Sequence, residues 1–408
     1  MLLIIIIIKI YLKFINGEDF IMRSRLLNRF FSYIALSMFL TVSAANAAPT
    51  AEEMWQTIQD QQKVIEQLQE QIDATAEAVE SGSGSSGSSW ADKTQLGGYG
   101  ELHYRAGDGT DQADFHRYVL YIGHDYSDTI HFFSEFEIEH SLAGDGAPGE
   151  VELEQAWIEI DITDSHRFRA GLDILPIGLI NVTHEPNTFY GVERNAVESR
   201  IIPATWWEAG LGFNGELAPG VNYDLVLHSG LETNSNIRSG RQKVAEANAE
   251  YPAGTARIRY TGVPGLEISG SAQYQSNIGG ELQSGNQAYL LQTHVDYKHS
   301  SGLALRGLWA GWQMDEDLTA DGKSSDGWYI EPAYRFKTGG TWEAGVYARY
   351  EEIDRSSAAA RNEEERRSLG MNLWPHPSVV FKLTYENVHD EDADTSTDNV
   401  YLGVGYQF

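Results

Sequence analysis

The segment from Pro176 to Thr205 shows neither strand nor helix periodicity, and it gathers Asn181, His184, Glu185, Tyr190, Glu193, Arg194, Glu198 and Arg200. Amide, imidazole, carboxylate, phenol and guanidinium groups mixed in this way can hold ions and polar solutes by charge-assisted hydrogen bonds. A stretch of this length without regular structure, set inside a compact protein, is expected to be a functional loop. A second set, Arg105, Arg117, Arg167, Arg169, Arg257, Arg259 and Arg349, recurs on alternate positions of strand-like runs. Alternate residues of a strand share a face. These arginines can therefore form a basic stripe that attracts anions, or each can pair with a neighbouring carboxylate and only satisfy its wall. The residue pattern leaves both open. After Lys93 the lysines are Lys243, Lys298, Lys323, Lys337 and Lys382, none of them in the long loop.

Catalytic readings have less behind them. Glu135, Glu137 and Glu139 are close because alternate strand residues share a polar face, not because two carboxylates are poised for acid–base work. The 12 His are scattered, and no HExxH, CxxC or nucleotide-binding glycine loop occurs. No metal site, cofactor or catalytic residue is therefore expected. Gly97, Gly98 and Gly100 precede no helix, so they suit close packing or bending of a strand rather than phosphate cradling.

The elements that must position these groups are strands. From Thr94 onward, aromatic and β-branched residues alternate with polar ones, and clusters of Gly, Asp, Asn and Ser interrupt them. Sixteen strands are expected near 95–105, 114–126, 130–140, 150–161, 166–175, 205–217, 220–232, 254–262, 265–277, 287–299, 302–315, 326–337, 341–353, 366–374, 378–388 and 397–408. Within 166–175, Phe168, Ala170, Leu172 and Ile174 oppose Arg167, Arg169 and Asp173; within 220–232, Val221, Tyr223, Leu225 and Leu227 oppose Asn222, Asp224 and His228. Charged residues keep to one side for strand after strand, and bulky apolar ones, with Tyr and Trp near strand ends, keep to the other. Tight turns such as Ala218-Pro219-Gly220 and Val263-Pro264-Gly265 alternate with long polar connections such as 232–254 and 354–365. An even number of strands closes antiparallel, and sixteen leave an aqueous lumen, so the expected fold is an all-β, 16-stranded antiparallel transmembrane barrel.

Composition agrees. Apolar residues make up 42% of the 408, yet beyond the N-terminal segment no apolar run is long enough for a spanning helix, so a membrane chain of this kind must be a barrel. The absence of Cys fits an oxidising envelope compartment. A formal charge of −30 repels nucleic acid, which is excluded as a partner. Residues 1–21 read as upstream sequence ahead of a start at Met22. Residues 22–47 read as a signal peptide, with Arg23, Arg25 and Arg29 before the apolar 30–42 stretch and small residues at Ala45 and Ala47. In 48–80, Ile58, Ile65, Ile72 and Val79 recur every seven residues, as in a short coiled coil that would form where other contacts hold copies together, or in a single amphipathic helix. The Gly/Ser-rich 81–93 is a tether leading to the barrel, 94–408.

The alternation of 399–408, ending on the aromatic Phe408, resembles the C-terminal signal strand of bacterial outer-membrane barrels. The run RAGLDILPIGLINVTHEPNTFYGVERNAVESRIIPATWWEAG, beginning at Arg169, resembles the core of the phosphate-selective porin O and P family, with 189–195 its most specific part. That resemblance implies a trimeric sixteen-stranded outer-membrane channel passing small hydrophilic solutes or ions, anions such as phosphate among them. It also implies a loop folded into the lumen as the constriction, an arginine ladder on the wall, and a coiled coil on the periplasmic side. Lipid and lipopolysaccharide would surround the barrel, with acidic outer loops among divalent-bridged phosphates. Two alternatives stand beside it. One is an adhesin or binding barrel using its acidic loops; the other is a barrel-borne hydrolase in which His103, His116 or His124 pairs with a Ser, although no spacing marks a nucleophile.

Overall fold

The computed structural model describes residues 90–107, 111–233, 235–280, 285–316, 322–355 and 362–408. The expected upstream segment, signal peptide, coiled coil and most of the tether lie outside the described residues. The tether's last residues, Trp90–Lys93, form a 3₁₀ turn.

Sixteen strands follow: β1 (Thr94–Gly107), β2 (Gln112–Ser127), β3 (Ile130–Glu139), β4 (Val151–Thr163), β5 (His166–Ile174), β6 (Trp207–Ala218), β7 (Val221–His228), β8 (Ala253–Val263), β9 (Leu266–Gln275), β10 (Ala288–Lys298), β11 (Leu303–Met314), β12 (Ser324–Lys337), β13 (Glu343–Asp354), β14 (Glu363–His376), β15 (Val379–Asp390) and β16 (Thr395–Gln407). Each pairs antiparallel with its sequence neighbours, and β1 pairs with β16, so the sheet is a closed barrel. Every expected strand is present within a few residues. The largest excess is at β7, expected to reach 232 but ending at His228. There the chain leaves the wall, because the Leu231 amide donates to Gln275 Oε1 at 3.0 Å and the Thr233 amide to the Ile278 carbonyl at 2.9 Å.

The ladder lapses at Pro332, in the middle of β12. Ile330 pairs with Tyr350 and Ala333 with Tyr347, but the residues between are unregistered with β13. A proline has no amide proton to give, which accounts for the gap.

Period-two alternation decides the faces. Leu102, Leu120, Ile122, Phe136, Leu153, Ile160, Leu211, Phe213, Leu227, Ile258, Leu369, Phe381 and Leu402 all stand exposed on the outer side. Exposed Tyr126, Tyr260, Tyr334 and Trp342 lie toward the end with the tight turns, Tyr104 and Tyr385 toward the end with the loops. A continuous apolar belt of this kind is stable only against an apolar medium. No helix among the described residues is long and apolar enough to cross a membrane.

The inner face departs from the expectation of an evenly wet lumen. On β10 and β11 the inward positions Leu290, Leu308, Ala310, Trp312 and Met314 are apolar and buried. They form one cluster with Tyr329 of β12, Ile353 of β13, and Leu175, Ile177, Val197, Ile201, Ile202 and Trp206 of the β5–β6 loop. Leu231, Ile237 and Ile278 from the next two long loops complete it. The loop-ward halves of β10–β13 are therefore covered by an apolar core.

The seam carries its own latch. The Phe408 amide donates to the Gly98 carbonyl and the Gly98 amide to that of Phe408, each at 3.0 Å, while the Phe408 ring lies 6.0 Å from that of Tyr118. Removing Phe408 should cost about 1–3 kcal/mol through two lost backbone pairs. Urea titration of the barrel refolded in lipid vesicles, followed by tryptophan fluorescence, should show the lower midpoint.

Candidate functional site

The β5–β6 loop leaves the wall through a clamp at its base. The Leu175 amide donates to the Trp206 carbonyl at 3.0 Å. Asn181, with no exposed surface, accepts from the Trp206 amide at 2.6 Å and donates to the carbonyls of Leu175 (2.9 Å) and Trp206 (3.2 Å). Its amide thus replaces the missing strand pairing where the two ends of the loop meet.

Glu198 organises the interior of the loop. It sits on a single π-helical turn, Val197–Ile201. Its Oε2 accepts from the amides of Leu179 (2.7 Å) and Ile180 (2.6 Å), and its Oε1 from Asn195 Nδ2 (3.2 Å) and the Tyr329 hydroxyl (2.8 Å). Four donors replace the water that a buried carboxylate loses. Gly178 makes this possible: its φ is +77°, and a Cβ there would meet Glu198 Oε2 at 2.6 Å.

From this knot the loop reaches walls all round the barrel. Ser271 of β9 donates to the Pro176 carbonyl at 3.0 Å, and Trp312 of β11 to that of Ile201 at 2.8 Å. The Ala196 amide meets Glu351 of β13 at 2.7 Å, and Arg200 ion-pairs with Glu364 of β14. Lys382 of β15 donates to the Gly191 carbonyl at 2.8 Å and lies 3.8 Å from the Phe189 ring centre. Arg306 of β11 donates to the Thr188 carbonyl at 2.8 Å. Glu193 meets His103 of β1 at 2.9 Å, and His184 sits between Glu135 of β3 and Glu154 of β4. Burial opposes a charge on His184, but the two carboxylates override it and raise its pKa to about 10.

The eight loop residues singled out by type therefore do different work. Asn181 and Glu198 are internal ties. His184, Glu193 and Arg200 are docking contacts. Arg194 donates to Thr205 Oγ1 at 2.7 Å, and the Tyr190 ring packs 5.6 Å from Tyr347 and 5.9 Å from Trp374. Glu185 contributes its carbonyl, which accepts from the Thr188 amide and hydroxyl.

The seven wall arginines all lie on the inner face, and six of them have carboxylate partners. Arg117 reaches Glu101 at 2.8 Å and Glu137 at 3.4 Å; Arg167 reaches Asp161 at 3.0 Å. Arg169 is held by Glu159 (2.7 Å) and Asp173 (2.8 Å), 3.9 Å over the Trp157 ring. Arg257 meets Asp224 at 2.7 Å, Arg259 meets Glu267 at 3.9 Å, and Arg349 meets Glu351 at 2.7 Å and Glu331 at 3.2 Å. Arg105 donates instead to Asn399 at 3.1 Å. Inward Arg306, Arg335 and Arg366, which the sequence reading did not single out, are paired with Asp296, Glu343 and Glu364 in the same way. Arg306 could have been found by extending the alternation of β11, but its inward neighbours Ala304 and Leu308 disguise the face as lipid-directed.

Among the described residues, two cavities with charged lining groups lie beside the loop. The larger, of about 550 Å³, lies between residues 178–190 and the wall, where Arg257, Arg259, Glu267, Asp296, Arg306 and Arg335 mix both signs of charge. The smaller, of about 130 Å³, is lined by Arg169, Asp173, Asn214, Asp224 and, again, Arg257.

No family model matches the chain. It is 27% identical over 345 residues to an uncharacterized protein of Aquifex aeolicus, an alignment that covers 75% of this chain and 78% of that one. Among solved structures it is similar to an anion-selective porin from Comamonas acidovorans (TM-score 0.52, 13% identity, 77% of this chain and 99% of that one). It is also similar to OprB of Pseudomonas putida (0.54, 12%, 78% and 94%). A third is the trimer form of OmpT, an outer-membrane protein of Vibrio cholerae (0.52, 11%, 77% and 99%). At these identities the likeness is one of fold: the chain has the architecture of outer-membrane porins.

Glu198→Ala removes the acceptor for four donors and should destabilise the docked loop by about 3–5 kcal/mol. Hydrogen exchange should then rise across 178–206 while the strands keep their protection.

Proposed function

We propose that the chain is an outer-membrane porin, a water-filled channel through which small hydrophilic solutes and ions diffuse. The observation that carries this reading is the loop spanning a closed, lipid-faced barrel, with charged cavities left on one side of it. Because the apolar cluster covers the loop-ward halves of β10–β13, the conducting route runs past Arg169, Asp224, Arg257 and Arg259 and then between the loop and the tight-turn halves of β10–β12. In this reading the constriction is set by the loop that carries Asn181, His184, Glu185, Tyr190, Glu193, Arg194, Glu198 and Arg200. Of these, the route itself is narrowed chiefly by the 183–190 stretch that borders the larger cavity.

Opposed guanidinium and carboxylate groups across such a route make a transverse field, which sorts ions by charge and size without binding them tightly. Selectivity for anions such as phosphate is the narrower reading. It draws on the arginine row, on the resemblance to the phosphate-selective porin O and P family, and on the fold shared with a porin described as anion-selective. The carboxylate partners compete with any such anion. We further infer a homotrimer set in lipid and lipopolysaccharide; the trimer form of a solved structure of like fold supports the stoichiometry.

Purified protein in planar bilayers should give large ohmic conductance steps, and their absence would favour a binding barrel. Under a salt gradient, exchanging Arg167 and Arg169 for Glu should move the reversal potential toward cation preference. An unchanged potential would remove the basic row from the selectivity mechanism.

A further inference from the structure

We propose that Glu135, Glu154 and His184 form a binding site for a first-row divalent cation of the zinc class, which ties the lumen loop to the barrel wall. β3 supplies Glu135, β4 supplies Glu154 and the loop supplies His184; they are 1%, 2% and 3% exposed. His184 Nε2 lies 3.3 Å from Glu135 Oε1 and 3.4 Å from Glu154 Oε2, and one donor atom from each residue lies within 4.8 Å of the others. Bonds of about 2.0–2.1 Å to imidazole and carboxylate set neighbouring ligand atoms of a tetrahedral ion about 3.3–3.4 Å apart. The two distances to the imidazole therefore already match, and the two carboxylate oxygens lie within 4.8 Å of each other.

The backbone is shaped for this. The β3–β4 register slips between Glu135 and Phe136, so that Gln155 pairs with Glu135 and Leu153 with Phe136. Glu154 is the extra residue of that bulge, and its carboxylate is turned inward beside that of Glu135. Bulges commonly re-aim one side chain toward a site.

A separate observation points to a missing positive charge. Glu137, one strand repeat from Glu135 and 1% exposed, accepts no hydrogen bond at either carboxylate oxygen. It has Arg117 Nη1 at 3.4 Å on one side and the Glu154 carboxyl on the other. Glu154 Oε2 is met by His184 Nε2 at 3.4 Å and makes no well-formed hydrogen bond. Two buried carboxyl groups in contact and short of donors are what a cation relieves. A supporting shell is present: Gln155 Nε2 donates to Glu135 Oε2 at 2.5 Å, Trp157 donates to Gln155, and the Tyr99 ring packs edge-on to His184 at 6.1 Å. An imidazole nitrogen among oxygens selects the zinc class over calcium or magnesium. Uptake displaces to solvent the proton that otherwise lets His184 bridge the two carboxylates.

The full-length chain is refolded in detergent with zinc chloride, freed of loose metal by gel filtration, and assayed by plasma mass spectrometry. The variants Glu135→Gln and Glu154→Gln are treated alike, with His299→Ala, an exposed imidazole at the β10–β11 turn, as control. The proposal expects one zinc per chain in the native protein and the control, and affinity weaker by about tenfold or more in the two Gln variants. A metal-free native chain would mean an ion pair only, and zinc retained by both Gln variants would mean adventitious binding; either result overturns the site. Should a variant fail to fold, cobalt(II) in the native chain decides. Intense tetrahedral absorption bands support the site, and a weak octahedral spectrum overturns it. Neither readout depends on conductance, so the cation site and the channel reading fail separately.

Discussion

A sheet whose outer side meets hydrocarbon cannot leave an edge. Each unpaired amide or carbonyl there would be stranded without water, at a cost of several kcal/mol. Closure of β1 on β16, registered from Tyr99 against Gln407 to Gly107 against Asn399, is what removes that penalty. Everything else follows from the closed wall. It forces side chains onto two faces with opposite solvents, puts the tight turns at one end with both ends of the sheet, and leaves the long connections to pack over or into the mouth at the other.

Inside the wall, the lumen is divided. Trp206 and Trp312, whose rings lie 6.2 Å apart, stand at the centre of a packed region joining the loop to β10–β13. Beside it, ion pairs such as Arg169–Glu159 and Arg257–Asp224 give the wall a charged lining. The loop is thus a structural member with one greasy side and one polar side, rather than a flap hung in water. Its shape is held by hydrogen bonds in a dry setting, where a satisfied carboxylate such as that of Glu198 is firmly placed.

How much of this the sequence disclosed depended on whether the signal was local. Phe168, Ala170, Leu172 and Ile174 against Arg167 and Arg169 is a period-two pattern within one strand, and it placed β5 and its faces correctly. The long aperiodic stretch likewise stood out as a loop. The division of labour within it did not. Whether Glu198 lines a passage or ties backbone amides depends on Leu179, Asn195 and Tyr329, the last of them far away in the chain. β11 shows the limit of alternation. Leu308, Ala310, Trp312 and Met314 face inward, against the rule that inner positions are polar, because a loop from elsewhere covers them. The neutralising partners of the arginine row were visible as residue types, but their pairing across strands needed the register. Glu135, Glu154 and His184 come from three elements, with one carboxylate re-aimed by a bulge, so no spacing motif could announce them.

The last strand has a second occupant on its inner side. A Cβ on Gly405 would collide with Pro186 at 2.4 Å, and one on Gly403 would meet Val192 at 3.0 Å, so β16 is carved to receive the loop. The stave that completes the cylinder is thus also one of those against which the loop rests. A bulkier residue at either glycine would therefore disturb the seat of the loop and the closing strand together.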